Sequence, residues 1–300
     1  MRILVTGGGG FIGGWIVRRL VEAGHVPVIF DLHENRARVA EIAGARLADD
    51  LDWIAGDITV TDQVIAAARG CDRIIHLAGL LTPACRDDPV LGAQVNLIGT
   101  INAFLAARAN GIGSVAWMSS AGVFGPDGGT QPRPTSQYGA FKLGAEHSAR
   151  AFLADDGIAS VAFRPYVVYG PGREVGISAG PSLACRAAAL GEPYTIPFTG
   201  QIDLIHADDV ARIFLAAIEA PPAGAHAVNL IGRRATTEDV AKVLTRLVPG
   251  ASIDAAGPPL QVAFPQTEPA LAELFADWEP MQLEDGLAGT VAHYSFLAKL

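Results

Sequence analysis

The stretch "RILVTGGGGFIGGWIVRRLVEAGHVPVIFD", residues 2–31, restricts the fold more than any other part of this chain. It opens on a short apolar run, then places Gly7, Gly10 and Gly13 three residues apart. Phe11, Ile12, Ile16, Val17, Leu20 and Val21 follow at helical period, and Gly24 suits a helix end. "VPVIF" is the next strand, with Asp31 directly after it and 18 residues beyond Gly13. A glycine turn between strand and helix lets a pyrophosphate approach the backbone and sit on the helix N-terminus. An acid about 20 residues on binds the hydroxyls of an adenosine ribose. The stretch therefore predicts dinucleotide binding. The Asp31 carboxylate repels a ribose 2′-phosphate, which favours NAD over NADP. Arg36 and Arg38 follow closely and are read as a solvated helix face.

The alternation continues. "DWIAGDIT" reads as a strand ending at Asp57 and Ile58, "DQVIAAARG" as a helix, and "DRIIHLAG" as a buried strand ending at Gly79. The helical "VNLIGTINAFLAARANG" and the strand "SVAWMSS" come next. Strands alternating with helices predict an α/β fold, a Rossmann-type doubly wound parallel sheet with helices on both faces. Ligands of such sheets bind beyond the C-terminal strand ends, where Gly7, Asp31, Asp57, Ala78, Ser119 and Ser120 fall on one rim.

Half of the 300 residues are hydrophobic and 18% are charged, so a sizeable core is expected in one large domain or two closely joined ones. A net charge of −9 argues against nucleic acid or an anionic membrane as the main partner. Cys71, Cys85 and Cys185 lack metal-site spacing, and no metal is expected. They read as reduced thiols of a cytoplasmic protein. The start "MRILVTGG" is broken by glycine too early for a signal peptide, and no apolar run reads as long enough to span a bilayer.

"TSQYGAFKLG", residues 135–144, sets Tyr138 four residues before Lys142 and so on one helix face. A phenol of pKa about 10 is a poor base at neutral pH, and a nearby ammonium favours the phenolate. The spacing suits proton transfer by tyrosine, although the same pattern also occurs on plain surface helices.

Taken in order, nine segments resemble the extended short-chain dehydrogenase/reductase family, which includes the NAD-dependent epimerases and dehydratases. They are "TGGGGFIG" (6–13), Asp31, "GDI" (56–58), "HLAG" (76–79), "NLIGT" (96–100), "SSAGVFG" (119–125), "YGAFK" (138–142), "RPYVVYGPG" (164–172) and "DLIHADDVA" (203–211). The resemblance implies a cofactor site of Gly7, Gly10, Phe11, Ile12 and Gly13 at the pyrophosphate and Asp31 at the adenosine ribose. Asp57 and Ile58 would meet the adenine, and Leu77, Ala78 and Gly79 would line the cofactor with backbone. It implies Tyr138 as the general acid/base, with Lys142 on the nicotinamide ribose and lowering the Tyr138 pKa. Ser120 would polarise the substrate oxygen, and Asn96 would be structural. Thr82 and Tyr166 are further candidates for lining the substrate, beside Ser120 and Tyr138. A smaller C-terminal substrate domain is expected from residues 164–201 plus about 233–300, beside a Rossmann domain of 1–163 plus about 202–232. In the family, helices equivalent to those around 96–110 and 138–153 pair across a two-fold axis, which implies a homodimer.

Three departures narrow the activity. Dehydratase members carry acids just after the serine position, where this chain has Ala121 and Gly122. Nucleotide-sugar members usually have Asn where Val167 stands. They commonly place an arginine in the C-terminal lobe against the substrate diphosphate, yet no arginine follows Arg246; the alternative is that Arg173, Arg186, Arg233 or Arg234 takes over that duty. These departures favour an NAD-dependent oxidoreductase acting on a secondary alcohol of a small sugar, sugar acid or polyol. The alternatives are a nucleotide-sugar epimerase with retained NAD, and a non-catalytic NAD-binding sensor. His206, Asp208 and Asp209 read as a helix-capping junction, and His76 as structural.

Overall fold

A computed structural model describes residues 1–126, 131–260 and 268–299. Its centre is a seven-stranded sheet built from β1 (Arg2–Thr6), β2 (Val26–Asp31), β3 (Asp52–Ala55), β4 (Arg73–His76), β5 (Ser114–Met118), β6 (Ala159–Pro165) and, after three further strands, β10 (Ala225–Leu230). The order is β10-β6-β5-β4-β1-β2-β3, and every pairing is parallel. The strands are near-continuous apolar runs because both faces are covered. One cluster packs the Phe11–Glu22 and Ala207–Glu219 helices on one face, through Ile16, Leu20, Ile213 and Phe214. The other packs the Gly99–Asn110 and Gln137–Asp156 helices through Phe104, Ala107, Ala145 and Ala149. The strand order reverses beside β1, so the crevice beyond β1 and β4 is the switch point of the sheet.

A second lobe holds β7 (Val167–Tyr169), β8 (Tyr194–Ile196), β9 (Gln201–His206), β11 (Arg233–Thr236) and β12 (Ile253–Ala255). Three of these form the sheet β11-β9-β7, and β12 pairs with β8. Their core includes Phe198, Leu204, Val240, Leu244 and Leu287. The expected boundary near 202 falls on β9, which pairs with β7 and β11 and not with the main sheet. The following helix returns to the main sheet, so we propose His206–Ala207 as the point where the chain crosses between lobes. His206 caps that helix by accepting from Asp208 N at 3.2 Å, and its ring meets Trp15 and Tyr169 edge-on. Burial pushes its pKa down to about 4, which fits a neutral cap better than a proton carrier.

The Pro89–Asn110 segment has the length and apolarity of a membrane span, contrary to the sequence reading. Half of it is buried in the protein, as in a core helix.

Candidate active site

The glycine turn sits where β1 hands over to the Phe11–Glu22 helix. Gly7 has φ +71°, and a Cβ there would lie 2.6 Å from Ala78 N; one on Gly13 would lie 2.5 Å from Gly7 O. Only glycine lets the turn, the helix start and the end of β4 come this close. Gly10 is the N-cap and supplies no side chain, and the first turn carries no acid. The leading N–H groups of Phe11 and Ile12 are thus free of a capping carboxylate, an arrangement that receives an anion. Asp31 closes the far side. Its carboxylate accepts from Gly9 N at 3.0 Å and Leu32 N at 2.8 Å, which fixes it at the tip of β2. Burial nonetheless moves its pKa upward.

These residues fit a dinucleotide: an uncapped helix end for a pyrophosphate, with an oriented carboxylate one strand away. Arg36 and Arg38 are not the solvated face expected. Arg36 lies 5.3 Å from the Trp53 ring centre and donates to Ala48 O at 2.8 Å. Arg38 donates to Gly172 O at 2.7 Å. Both guanidiniums are committed to holding the chain together.

Ser120, Tyr138 and Lys142 converge beyond the ends of β4 and β5. Ser120 follows β5 in extended conformation, where its Oγ accepts from Gly122 N at 3.0 Å, and the Tyr138 ring lies against the same glycine. Tyr138 enters at the first turn of a helix capped by Ser136, which accepts from Gly139 N at 3.1 Å. One turn on, buried Lys142 has Nζ 5.9 Å from the Tyr138 ring centre and donates to Met118 O at 2.8 Å. Burial lowers its pKa to about 8. The Tyr138 phenol lies above its ordinary value because it is buried. The Ser120 hydroxyl and the charge of Arg173 pull the other way, and that pull was expected from Lys142. The difference is geometric: the ammonium lies on the ring side and is spent on a strand carbonyl.

Other predicted residues are placed differently. Asp57 accepts from the N–H and hydroxyl of Thr59, both at 2.8 Å, and so braces its own turn. Ile58 is buried under the Gly99–Asn110 helix. Leu77 and Ala78 are half-buried beside the glycine turn, and Gly79 is exposed near Lys142. Thr82 begins a short helix and is half-buried. Tyr166 packs on the core of the second lobe, and burial together with Asp203 pushes its pKa up to about 12. Among the described residues His76 hydrogen-bonds with Thr6 of β1 (2.7 Å) and Thr100 of the Gly99–Asn110 helix (3.0 Å).

Sequence reasoning missed the support beneath the site. Glu146, buried two turns along the helix from Tyr138, accepts from Ser119 Oγ at 2.5 Å and from Arg164 Nε at 2.7 Å. A second Arg164–Glu146 contact makes the pair bidentate. This links the Tyr138 helix to the residue just before Ser120. Its signal was an acid at Lys142+4 on a buried helix face. Asn96 lies in a π-helical turn, Gln94–Ile98, and donates to Leu80 O, Cys85 Sγ and Gly92 O.

A parallel sheet whose switch point carries a dinucleotide turn beside a Ser–Tyr–Lys cluster defines an NAD-dependent enzyme of the extended short-chain type. The chain belongs to the NAD dependent epimerase/dehydratase family, whose profile residues 3–247 match. It is 30% identical to a UDP-glucose 4-epimerase of Mycolicibacterium smegmatis, with 98% of each chain covered. It is 32% identical to a 2-alkyl-3-oxoalkanoate reductase of Stenotrophomonas maltophilia, over 75% of this chain and 67% of the relative. The structure of a Thermus thermophilus UDP-glucose 4-epimerase in complex with NAD superposes with a TM-score of 0.80 at 26% identity, covering 98% of this chain and 99% of that one. The cofactor is NAD and the protein is an enzyme, which removes the sensor alternative.

Proposed function

We propose that the protein is a nucleotide-sugar epimerase that keeps NAD bound and inverts one secondary-alcohol carbon of its substrate. The observation that carries this reading is the convergence of Ser120 and Tyr138 beside Gly122, with buried Lys142 under the Tyr138 ring, in a chain that aligns over 98% of its length with a UDP-glucose 4-epimerase. The small-polyol dehydrogenase favoured by sequence alone becomes the second reading.

The roles follow from position. Gly7, Gly10, Phe11, Ile12 and Gly13 would hold the pyrophosphate, and Asp31 the adenosine ribose. Asp57 and Ile58 would flank the adenine through backbone, since the Asp57 carboxylate is bound to Thr59. Leu77, Ala78 and Gly79 would line the crevice, and Lys142 would reach the nicotinamide ribose. NAD, when bound, supplies the hydride acceptor and donor. Tyr138 Oη takes the hydroxyl proton of the substrate and later returns it. Ser120 Oγ fixes the same oxygen and holds the reacting carbon in register. Burial keeps the phenol protonated in the unliganded protein, so positive charge must arrive before Tyr138 serves as a base.

The second reading, net oxidation of a free sugar, sugar acid or polyol, keeps one argument. Val167 is wholly buried, and Arg233 donates to the carbonyls of Pro280 and Met281. Neither is free for a substrate diphosphate. Following UDP-glucose and UDP-galactose by NMR beside absorbance at 340 nm separates the two readings: interconversion without NADH favours the epimerase, and NADH from free sugars favours the dehydrogenase. Buried free thiols at Cys71, Cys85 and Cys185 support a cytoplasmic location. Exposed Val90, Leu91 and Ile98 on one long helical segment support a homodimer.

A further inference from the structure

The turn after β7, residues 170–174, is tied down from both lobes at almost every residue. Gly170 N–H donates to Ser182 Oγ at 3.1 Å. Pro171 O accepts from the Trp15 indole at 3.1 Å, and Gly172 N–H donates to Tyr294 Oη at 3.1 Å. Arg38 reaches 134 residues along the chain to donate to Gly172 O at 2.7 Å, and its second arm pairs with Glu174 at 2.9 Å. The other oxygen of Glu174 faces Arg186, 3.6 Å away. A turn held this way crosses the start of the glycine-turn helix: a Cβ on Gly172 would lie 3.5 Å from the Phe11 ring.

Arg173 sits at the middle of this strap. Its guanidinium lies 5.7 Å from the centre of the Phe11 ring, the first residue of the helix that receives the pyrophosphate. Its Nη2 donates weakly to Ser178 at 3.3 Å, and its Nε is buried with no partner among the described residues. Among those residues no carboxylate pairs with it. Arg173 is half-buried, with its Nε shut off from water, so its charge is incompletely solvated, and an anion that arrives with a ligand would offset that cost. The glycine turn itself carries no basic side chain to balance two phosphate charges. Tyr138 lies close enough for the same guanidinium to act on its phenol. Arg173 therefore stands between the phosphate end and the reacting end of the crevice.

We propose that residues 170–174 form a clasp over the NAD pyrophosphate, with Arg173 as its anion-binding tip and Arg38 as the positioning residue that holds it shut. The proposal rests on NAD binding at the glycine turn and on nothing about the sugar. Arg38, on the helix after the adenosine-side strand, thereby serves retention of the cofactor and not the choice between NAD and NADP. Glu174 is the knot, since it takes Arg38 from one lobe and Arg186 from the other.

The test uses the full chain, with binding of NAD, ADP-ribose, AMP and UDP measured by calorimetry and NAD release by stopped-flow chase. Arg173→Met keeps the apolar stem over Phe11 and removes the charge. It should weaken NAD and ADP-ribose at least tenfold and leave AMP, which lacks the second phosphate, within threefold. Arg38→Met should speed NAD release at least fivefold, again sparing AMP, and Arg38→Lys should recover only part of the loss because one ammonium cannot serve both Gly172 and Glu174. Thermal melting of each unliganded variant reports folding, and Glu174→Gln repeats the release test from the other side of the knot. NAD and ADP-ribose affinities within twofold of wild type in Arg173→Met would overturn the clasp. So would a loss confined to UDP, which would assign the arginine to the substrate. These readouts contain no sugar turnover, so they stand or fall apart from the epimerase reading.

Discussion

The ammonium of Lys142 donates to the carbonyl of Met118 at 2.8 Å, tying the Tyr138 helix to the end of β5. Lys142 is thus a brace as well as a charge, and its charge is buried. Its folded pKa, about 8, lies below the 10.5 of a free lysine. Between those values the unfolded state holds a proton that the folded state has shed, so this group adds stability as pH rises from about 8. Urea unfolding of wild type and Lys142→Met at pH 7 and pH 9.5 checks it. Wild type should gain relative to the variant by about 1–3 kcal/mol across that interval, and a pH-independent difference would contradict the buried charge. The variant should also bind NAD more weakly.

Cofactor choice should follow Asp31 alone. With Arg36 over Trp53 and Arg38 on Gly172, no arginine of that helix is free to meet a 2′-phosphate. Fluorescence titration should give NAD at least ~10-fold tighter binding than NADP. Equal affinities would show that an arginine leaves its partner for the phosphate.

Glu146 and Arg164 should behave as a buried pair. Glu146→Leu strands the guanidinium and frees Ser119, at a cost of ~3–5 kcal/mol in stability. Pairing it with Arg164→Met should recover most of that loss in denaturant titrations. Additive losses would contradict the pairing.

The cofactor half of this protein was legible because its constraints are local. Gly7, Gly13 and Asp31 obey a spacing set by one βαβ unit, and Tyr138 and Lys142 by one helical turn. The missed features all depend on long-range contacts. Arg38 meets Gly172 across 134 residues, and Glu146 joins a strand end and Arg164. The first has no period or motif, and the acid four residues after Lys142 marks Glu146 without naming its partners. The same limit explains Tyr138: i,i+4 spacing gives the nearness of Lys142, but not that the ammonium donates to Met118 O or that Arg173 lies within reach. Thr82 and Tyr166 lie close to the motifs along the chain, but Tyr166 turns toward the second lobe core. Substrate class was the least legible of all, because residues from two lobes decide it.

Assembly is open to a direct measurement. Val90 is 69% exposed, with Leu91 and Ile98 exposed on the same helical segment, an apolar face that suits a two-fold contact. Light scattering at micromolar concentration should give a dimer mass, and Val90→Glu with Leu91→Glu should shift it to monomer. A monomer mass for wild type would refute the homodimer.

Inversion at one carbon with NAD retained can be followed with a UDP-hexose carrying deuterium at C4. Purified enzyme is incubated with it without added cofactor, and the product is read by NMR and mass spectrometry. An epimerase that retains NAD gives the C4 epimer with its deuterium kept, no NADH released to solution, and a loss of ~10²-fold or more in rate for Tyr138→Phe at little change in NAD affinity. Deuterium appearing in free NADH, or no epimer from any UDP-hexose while small polyols reduce added NAD, would contradict inversion with NAD retained.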